Sequence, residues 1–299
     1  MIASQTLKIS IATPSYNQGS FLEETILSVI GQNYLNLEYV IIDGGSTDDS
    51  IETIRRYEDR LAYWVSESDA GHYDAINKGF SRTTGDVMAW INSDDKYAPW
   101  AFQIVAEIFA SLPEVEWLTS SYPILWDEQG RAVACYYRGG FNRQSFFRGV
   151  YLPPSEHRKT KGAIQQESTF WRRSLWERAG GYVDASLRLA ADFELWARFF
   201  QHAELYSVQT PLGGFRLHGD QRSVNRLDDY LEEADQVLQR FGASVSGKPP
   251  ASAGLAQYIP ERLNRRVSGQ AEKAPSGRIC QYNVHQKSWE IVTATESAG

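Results

Sequence analysis

Asn92-Ser93-Asp94-Asp95 follows directly on the apolar run Val87-Met88-Ala89-Trp90-Ile91. A run this apolar reads as a buried strand, and open α/β sheets bind ligands beyond the carboxyl ends of their strands. Oxygens presented there can coordinate a divalent cation and, through it, the phosphates of a nucleotide. By itself the tetrapeptide is equally a solvated turn or a helix cap. A second carboxylate arrives the same way, where residues 37–42 read as a strand ending at Asp43-Gly44-Gly45-Ser46-Thr47-Asp48. Residues 61–65 form a third strand-like run. It leads through Asp69-Ala70-Gly71-His72-Tyr73-Asp74-Ala75-Ile76-Asn77-Lys78-Gly79 into a short helix. Ahead of these, residues 7–12 read as a strand ending at Thr13-Pro14-Ser15-Tyr16-Asn17.

Strands that deliver acids to one edge need helices to cover their faces, and the spacing supplies them. Ser20 and Glu23 stand as a capping box ahead of Leu22, Ile26, Val29 and Ile30, which recur at helical period. Residues 46–49 offer caps for a helix through Ile51 and Ile54, and Pro99 suits the first turn of another running through Ile108. Such alternation predicts an α/β fold with a mainly parallel central sheet flanked by helices. From residue 115 the pattern turns to β, with residues 115–120 and 132–137 as strands around the turn Asp127-Glu128-Gln129-Gly130, a smaller second region. Residues 1–242 read as one domain, with halves 1–112 and 113–242. Residues 243–254, rich in Ala, Ser, Gly and Pro, read as a linker. Residues 255–299 are a tail with one strand pair, 279–284 and 288–293, and no assigned role.

Further on stand Phe170-Trp171-Arg172-Arg173, Gly180-Gly181-Tyr182, Asp192-Phe193-Glu194-Leu195-Trp196 and Phe215-Arg216-Leu217-His218. In this order, over roughly residues 7–223, the motifs resemble those of the family 2 inverting glycosyltransferases, which carry the GT-A fold. The resemblance implies metal-dependent transfer of a sugar from a nucleotide diphosphate sugar, UDP-linked as first choice, to a hydroxyl. It suggests a glycan or lipid-linked glycan acceptor and a place in surface polysaccharide or glycolipid assembly.

Each role then has candidates. Asp43 can accept from a pyrimidine N–H or anchor the Gly44-Gly45 turn, and Pro14 with Tyr16 can wall the ring, Asn17 alongside. Asp69, with Asn77 and Lys78, can face the donor, although Asp74 and Lys78 also suit a local ion pair. Asn92 stands where the family has an acid: its amide oxygen can accept from sugar or ribose hydroxyls, Ser93 beside it, but it brings no charge to a cation. Asp94 is then the main ligand for Mn²⁺ or Mg²⁺, with His218 either a second ligand or structural, and Arg216 or Lys78 can neutralise diphosphate. Asp192 and Glu194, two apart, cannot share a helix face. Glu194 suits an exposed ion pair with Arg198, four residues on, which leaves Asp192, sharing its face with Trp196, as the base. Gln166 and Glu167, before the strand 169–171, are candidate acceptor contacts, with Trp196 beside the base. Residues 151–162, carrying Arg158, Lys159 and Lys161, read as a solvated basic loop or an acceptor lid.

Composition narrows the alternatives. The 299 residues are 42% hydrophobic and 22% charged, ordinary for a globular chain, and a formal charge of -7 argues against coating nucleic acid. Cys135 and Cys280 lack metal spacing and suit a reducing compartment. No bilayer-length apolar stretch or signal pattern is present, so the reading is cytoplasmic, with peripheral contact at the inner membrane face left open. A sugar-phosphate nucleotidyltransferase would want a basic glycine-rich loop near the start, and residues 13–19 have no Lys or Arg. No strand runs into Gly-x-Gly-x-x-Gly, which disfavours a dinucleotide oxidoreductase. A non-catalytic nucleotide-sugar or glycan-binding module remains the rival reading.

Overall fold

The computed structural model describes residues 7–155, 160–219, 221, 225–243 and 277–293. Arg158 and Lys159, and nearly all of the expected linker, lie outside the described residues. The first half alternates as expected: β1 (Ile9–Ser15), α1 (Gly19–Ile30), β2 (Leu37–Asp43), α2 (Ser50–Arg56), β3 (Tyr63–Ser66), α3 (His72–Ser81), β4 (Val87–Trp90), β5 (Lys96–Tyr97) and α4 (Ala101–Ser111). The second half runs β6 (Trp117–Ser120), β7 (Ile124–Trp126), β8 (Ala132–Cys135), α5 (Arg143–Phe147), β9 (Phe170–Arg172), α6 (Arg173–Arg178), α7 (Ala191–His202), β10 (Leu205–Val208), β11 (Gly213–Arg216) and α8 (Leu227–Arg240). The chain returns in β12 (Arg278–Asn283) and β13 (Ser288–Thr293).

The main sheet has the order β13-β12-β10-β6-β9-β4-β1-β2-β3. β1 pairs in parallel with β2 and β4, and β2 with β3, so the ends of these strands, with their acids, open on one edge. β9 is antiparallel to both neighbours and bridges the two halves. A smaller sheet, β5-β11-β7-β8, carries β7, which the sequence reading did not anticipate; β7 pairs antiparallel with β8 across the expected turn. The strand pair near the end of the chain adds to the main sheet, β12 lying parallel to β10.

Two local expectations fail: α4 begins at Ala101 after the N-cap Trp100, so Pro99 lies ahead of its first turn, and α1 starts differently from its expected cap. The capping box does not form, because α1 begins at Gly19 and takes Ser20 into the helix. Asp48 caps instead, from the loop after β2: its Oδ2 accepts from the Gly19 N–H at 2.8 Å and its Oδ1 from the Ser50 N–H at 3.0 Å. One carboxylate thus ties the starts of α1 and α2, satisfying helix donors that have no partner within the helix.

Aromatic rings fix the distance between the two halves. Trp90 of β4 stacks on Trp196 of α7, centroids 6.1 Å apart at 11°. Trp171 of β9 meets Trp90 edge-on at 5.5 Å, and Trp117 of β6 lies 5.5 Å from Trp196. All four are essentially fully buried. Trp90 lies two residues before Asn92 and Trp196 four after Asp192, so this stack sets where the ends of β4 and α7 face each other. Among the described residues no helix is long and apolar enough to cross a membrane.

Candidate active site

Beyond the strand ends lies a cleft of about 770 Å³. Its floor begins at the turn after β4. There the Asp95 N–H donates to the Asn92 carbonyl at 3.1 Å, and the Asn92 amide donates to Asp95 Oδ2 at 3.0 Å. The Thr25 hydroxyl, from α1, donates to the carbonyls of Ser93 and Asp95 at 2.9 and 2.7 Å. Arg216 closes the turn from β11. Its N–H donates to Asp95 Oδ1 at 2.8 Å, and its guanidinium donates to the Asp94 carbonyl at 2.5 Å, to Glu24 at 2.6 Å and to the Glu128 carbonyl at 3.0 Å. The carbonyls of residues 92–95 are thereby all engaged, and the Asp94 side chain lines the cleft. His218 Nε2 sits 2.9 Å from Asp94 Oδ2, its ring against Phe21.

A carboxylate oxygen and an imidazole nitrogen this close suit a divalent cation that accepts mixed donors, as Mn²⁺ does. Asn92 Oδ1, in the same turn, is buried without a partner. Among the described residues no group of three or more His, Cys, Asp or Glu side chains could hold a metal, so phosphate and water oxygens would complete the shell.

The β1–β3 side forms the second wall. The Asn17 N–H donates to Ser46 Oγ and its Oδ1 accepts from the Thr47 N–H, tying the end of β1 to the loop after β2. Tyr16 is left 54% exposed at the cleft. A Cβ on Gly44 would come within 2.9 Å of Asp69 Oδ2 and 3.3 Å of the Tyr16 ring, so only glycine lets these two side chains close over the backbone. Asp69 is held by the Gly71 N–H at 2.8 Å.

The third wall carries Asp192, in the first turn of α7. The loop ahead of it is gripped from two sides. Glu233 of α8 accepts from the N–H groups of Arg188, Leu189 and Ala190 at 2.9–3.2 Å. The Tyr73 hydroxyl of α3 donates to the Leu189 carbonyl at 2.6 Å. The Tyr230 hydroxyl reaches Asp192 Oδ1 at 3.5 Å. Burial pushes the Asp192 carboxyl up to about 6; N–H groups of the helix start and Tyr230 pull it down, and the Glu233 charge adds to the rise. Glu167, next to the floor, is pushed up to about 7 by burial and shares a hydrogen bond with Asp95. Asp95 is raised as well, by burial and by the neighbouring charges of Asp94 and Glu167.

Of the sequence candidates, Pro14, Tyr16, Asp69, Asn92, Ser93, Asp94, Gln166, Glu167 and Asp192 line the cleft, with His218 against Asp94. Others do not reach it. Asp43 is fully buried, accepting from Ser46, Gly45 and Ser66, so it supports Gly44 from beneath. Asn17 ties two loops. Asn77 exchanges two 2.8 Å hydrogen bonds with the Val183 backbone, docking α3 on the loop before α7. Lys78 pairs with Glu67 and Asp74. Arg216 is enclosed by carbonyls and Glu24, and Trp196 belongs to the core. Glu194 does pair with Arg198 at 2.7 Å, but the pair is buried rather than exposed, because Arg198 also donates to the carbonyls of Ala179 and Tyr182. Tyr73, Arg138, Arg188 and Tyr230 line the cleft and were not foreseen. The apolar face of α8, Tyr230, Leu231, Ala234, Val237 and Leu238, was there to find the helix, though not its use of the tyrosine hydroxyl.

The sequence and the fold both have known relatives. The model of glycosyl transferase family 2 matches residues 10–175. An uncharacterized glycosyltransferase of Mycobacterium tuberculosis is 32% identical over 71% of this chain and 76% of its own length. Among solved structures, Staphylococcus aureus TarS 1-349 in complex with UDP-GlcNAc superposes with a TM-score of 0.56 at 15% identity, over 79% of this chain and 71% of that one. Glucosyl-3-phosphoglycerate synthase from M. tuberculosis, in complex with Mn²⁺, UDP and phosphoglyceric acid, gives 0.52 at 17% identity, over 80% and 79%. At these identities the structures speak for the GT-A fold alone.

Proposed function

The chain belongs to glycosyl transferase family 2, and from that premise we propose that it transfers a hexose from a UDP-sugar to a hydroxyl of a glycan or lipid-linked glycan, with inversion and with Mn²⁺ or Mg²⁺. The observation that carries this reading is that Asp94, paired with His218, and Asp192 face one cleft from the ends of β4 and α7. In a single displacement the acceptor oxygen attacks the anomeric carbon as the bond to the diphosphate breaks on the opposite face. Asp192 takes the acceptor proton; with its carboxyl near 6 it is ionised at neutral pH yet more basic than an ordinary aspartate. Asp94 and His218 would hold the cation, which neutralises the departing diphosphate. Pro14 and Tyr16 flank the base, and Asp69 accepts from ribose or donor hydroxyls. UDP as the nucleotide is supported by solved neighbours of the same fold that bind UDP and UDP-GlcNAc.

In this reading residues 1–112 hold the donor and 113–242 the acceptor, and the enzyme works on surface glycans at the cytoplasmic face of the membrane. The test is a calorimetric titration with UDP, with and without Mn²⁺, beside GDP and dTDP. Metal-dependent UDP binding that weakens in Asp94→Ala is expected, together with loss of transfer but retained UDP binding in Asp192→Asn. Equal transfer by Asp192→Asn refutes the base. UDP binding with neither transfer nor donor hydrolysis makes the chain a binding module.

A further inference from the structure

Two arginines unused by the mechanism line the cleft, Arg138 after β8 and Arg188 four residues before Asp192. Among the described residues neither guanidinium has a carboxylate within ion-pair distance, whereas Arg178, Arg198, Arg216 and Arg240 all do. The Arg138 side chain donates to the Lys161 carbonyl at 3.0 Å and keeps a buried Nε–H with no partner. The Arg188 backbone is fixed by Glu233, but the residue is exposed and its guanidinium has no partner among the described residues. Cations without a carboxylate partner among the described residues, in a cleft also lined by Asp94, Glu167 and Asp192, are placed for an anion brought by a ligand. Guanidinium groups bind phosphate oxygens through paired N–H donors.

Two phosphates compete for that role, the donor's and one on the acceptor. In an in-line displacement the leaving diphosphate and the attacking hydroxyl lie on opposite faces of the anomeric carbon. The diphosphate side is taken by Asp94 and His218. Arg188 instead rides on the loop that ends at Asp192, the group that must touch the attacking hydroxyl. Arg138 follows β8 of the small sheet, remote in the chain from β1–β3, and Tyr136 and Leu125 of the same region also line the cleft. Resting on the sugar-transfer reading, we propose that Arg138 and Arg188 form an anion subsite for the acceptor, and that the acceptor is a phosphate or diphosphate ester of a sugar.

The test uses the full chain loaded with UDP and Mn²⁺, titrated with GlcNAc 1-phosphate, undecyl diphospho-GlcNAc and the neutral methyl GlcNAc glycoside as probes. A phosphorylated probe should bind roughly tenfold or more tighter than the neutral one, and Arg188→Ala or Arg138→Ala should each remove about that factor, the order expected for one charged hydrogen-bonded contact. UDP affinity should stay within about twofold of the parent, which also shows that the variants fold. Binding of the undecyl diphosphate ester alone assigns the phosphate to a lipid-linked acceptor; comparable binding of GlcNAc 1-phosphate assigns it to a soluble sugar phosphate. Equal binding of charged and neutral probes overturns the subsite. So does weakened UDP binding in either variant, which would give these arginines to the donor. Failure of the parent chain to bind UDP refutes the sugar-transfer reading instead.

Discussion

Asp192→Asn should stop transfer and at the same time stabilise the fold, by an amount that grows with pH. Partial burial lifts the carboxyl from its ordinary 3.8 to about 6. Between those values the folded protein keeps a proton that the unfolded chain releases, so stability falls as pH rises through the window. At about 1.4 kcal/mol per pH unit the full loss is about 3 kcal/mol above pH ~7. Asparagine has nearly the same shape and no charge at any pH, so it escapes this loss. Whatever its amide gains or loses against Tyr230 is independent of pH and cancels when two pH values are compared. From the two pKa values the loss is about 1.6 kcal/mol at about pH 5 and about 3 kcal/mol at about pH 8. The stability gap between variant and parent should therefore widen by about 1.4 kcal/mol over that range, read from urea unfolding curves with equal m-values. A gap that stays constant or narrows as pH rises would refute the reasoning, since Asp192 would then not be a carboxylate whose ionisation the fold opposes.

Other perturbations separate wall from framework. Tyr16→Ala should weaken UDP binding by about 1–2 kcal/mol through loss of ring stacking, as titration would read, with the melting temperature unchanged. Glu194→Ala should cost about 3–5 kcal/mol of stability, because it strands the buried Arg198 guanidinium; chemical denaturation measures it. Glu233→Gln removes a negative charge that raises the Asp192 carboxyl, so the rising limb of the transfer-rate pH profile should move to lower pH. Its kcat should fall while the donor KM holds, as the loop ahead of Asp192 loosens.

The carboxylates proposed to do the chemistry were the most legible part of the chain. Asp94 and Asp192 sit at the end of a strand and the start of a helix, positions that local pattern locates. What local pattern does not give is which side of an element faces the cleft. Asp74, Asn77 and Lys78 do share one helix, but Asn77 turns to the Val183 backbone and Lys78 to Glu67. Trp196 follows Asp192 at helical spacing, yet one turn further along α7 the same face has already entered the core. The spacing of Glu194 and Arg198 correctly predicted a pair; its burial depends on carbonyls at Ala179 and Tyr182, well before it in the chain. Tyr230 and Glu233 act on a loop some forty residues away, and only the tertiary fold shows such a contact.

The late strand pair changes how this sheet can be assembled. β10 is completed on one side by β6 and on the other only by β12, which is made after every residue that lines the cleft. Until that strand docks, the emerging chain carries an open edge of backbone donors and acceptors beside an apolar face, the kind of surface on which chains pair with one another. Once docked, Ile279 and Cys280 are buried and the Trp289 indole N–H donates to Glu107 of α4 at 3.2 Å, so the seal is fastened by side chains as well as by backbone. Residues that touch no part of the cleft thus cover the sheet edge that an unfinished chain would leave open to pairing.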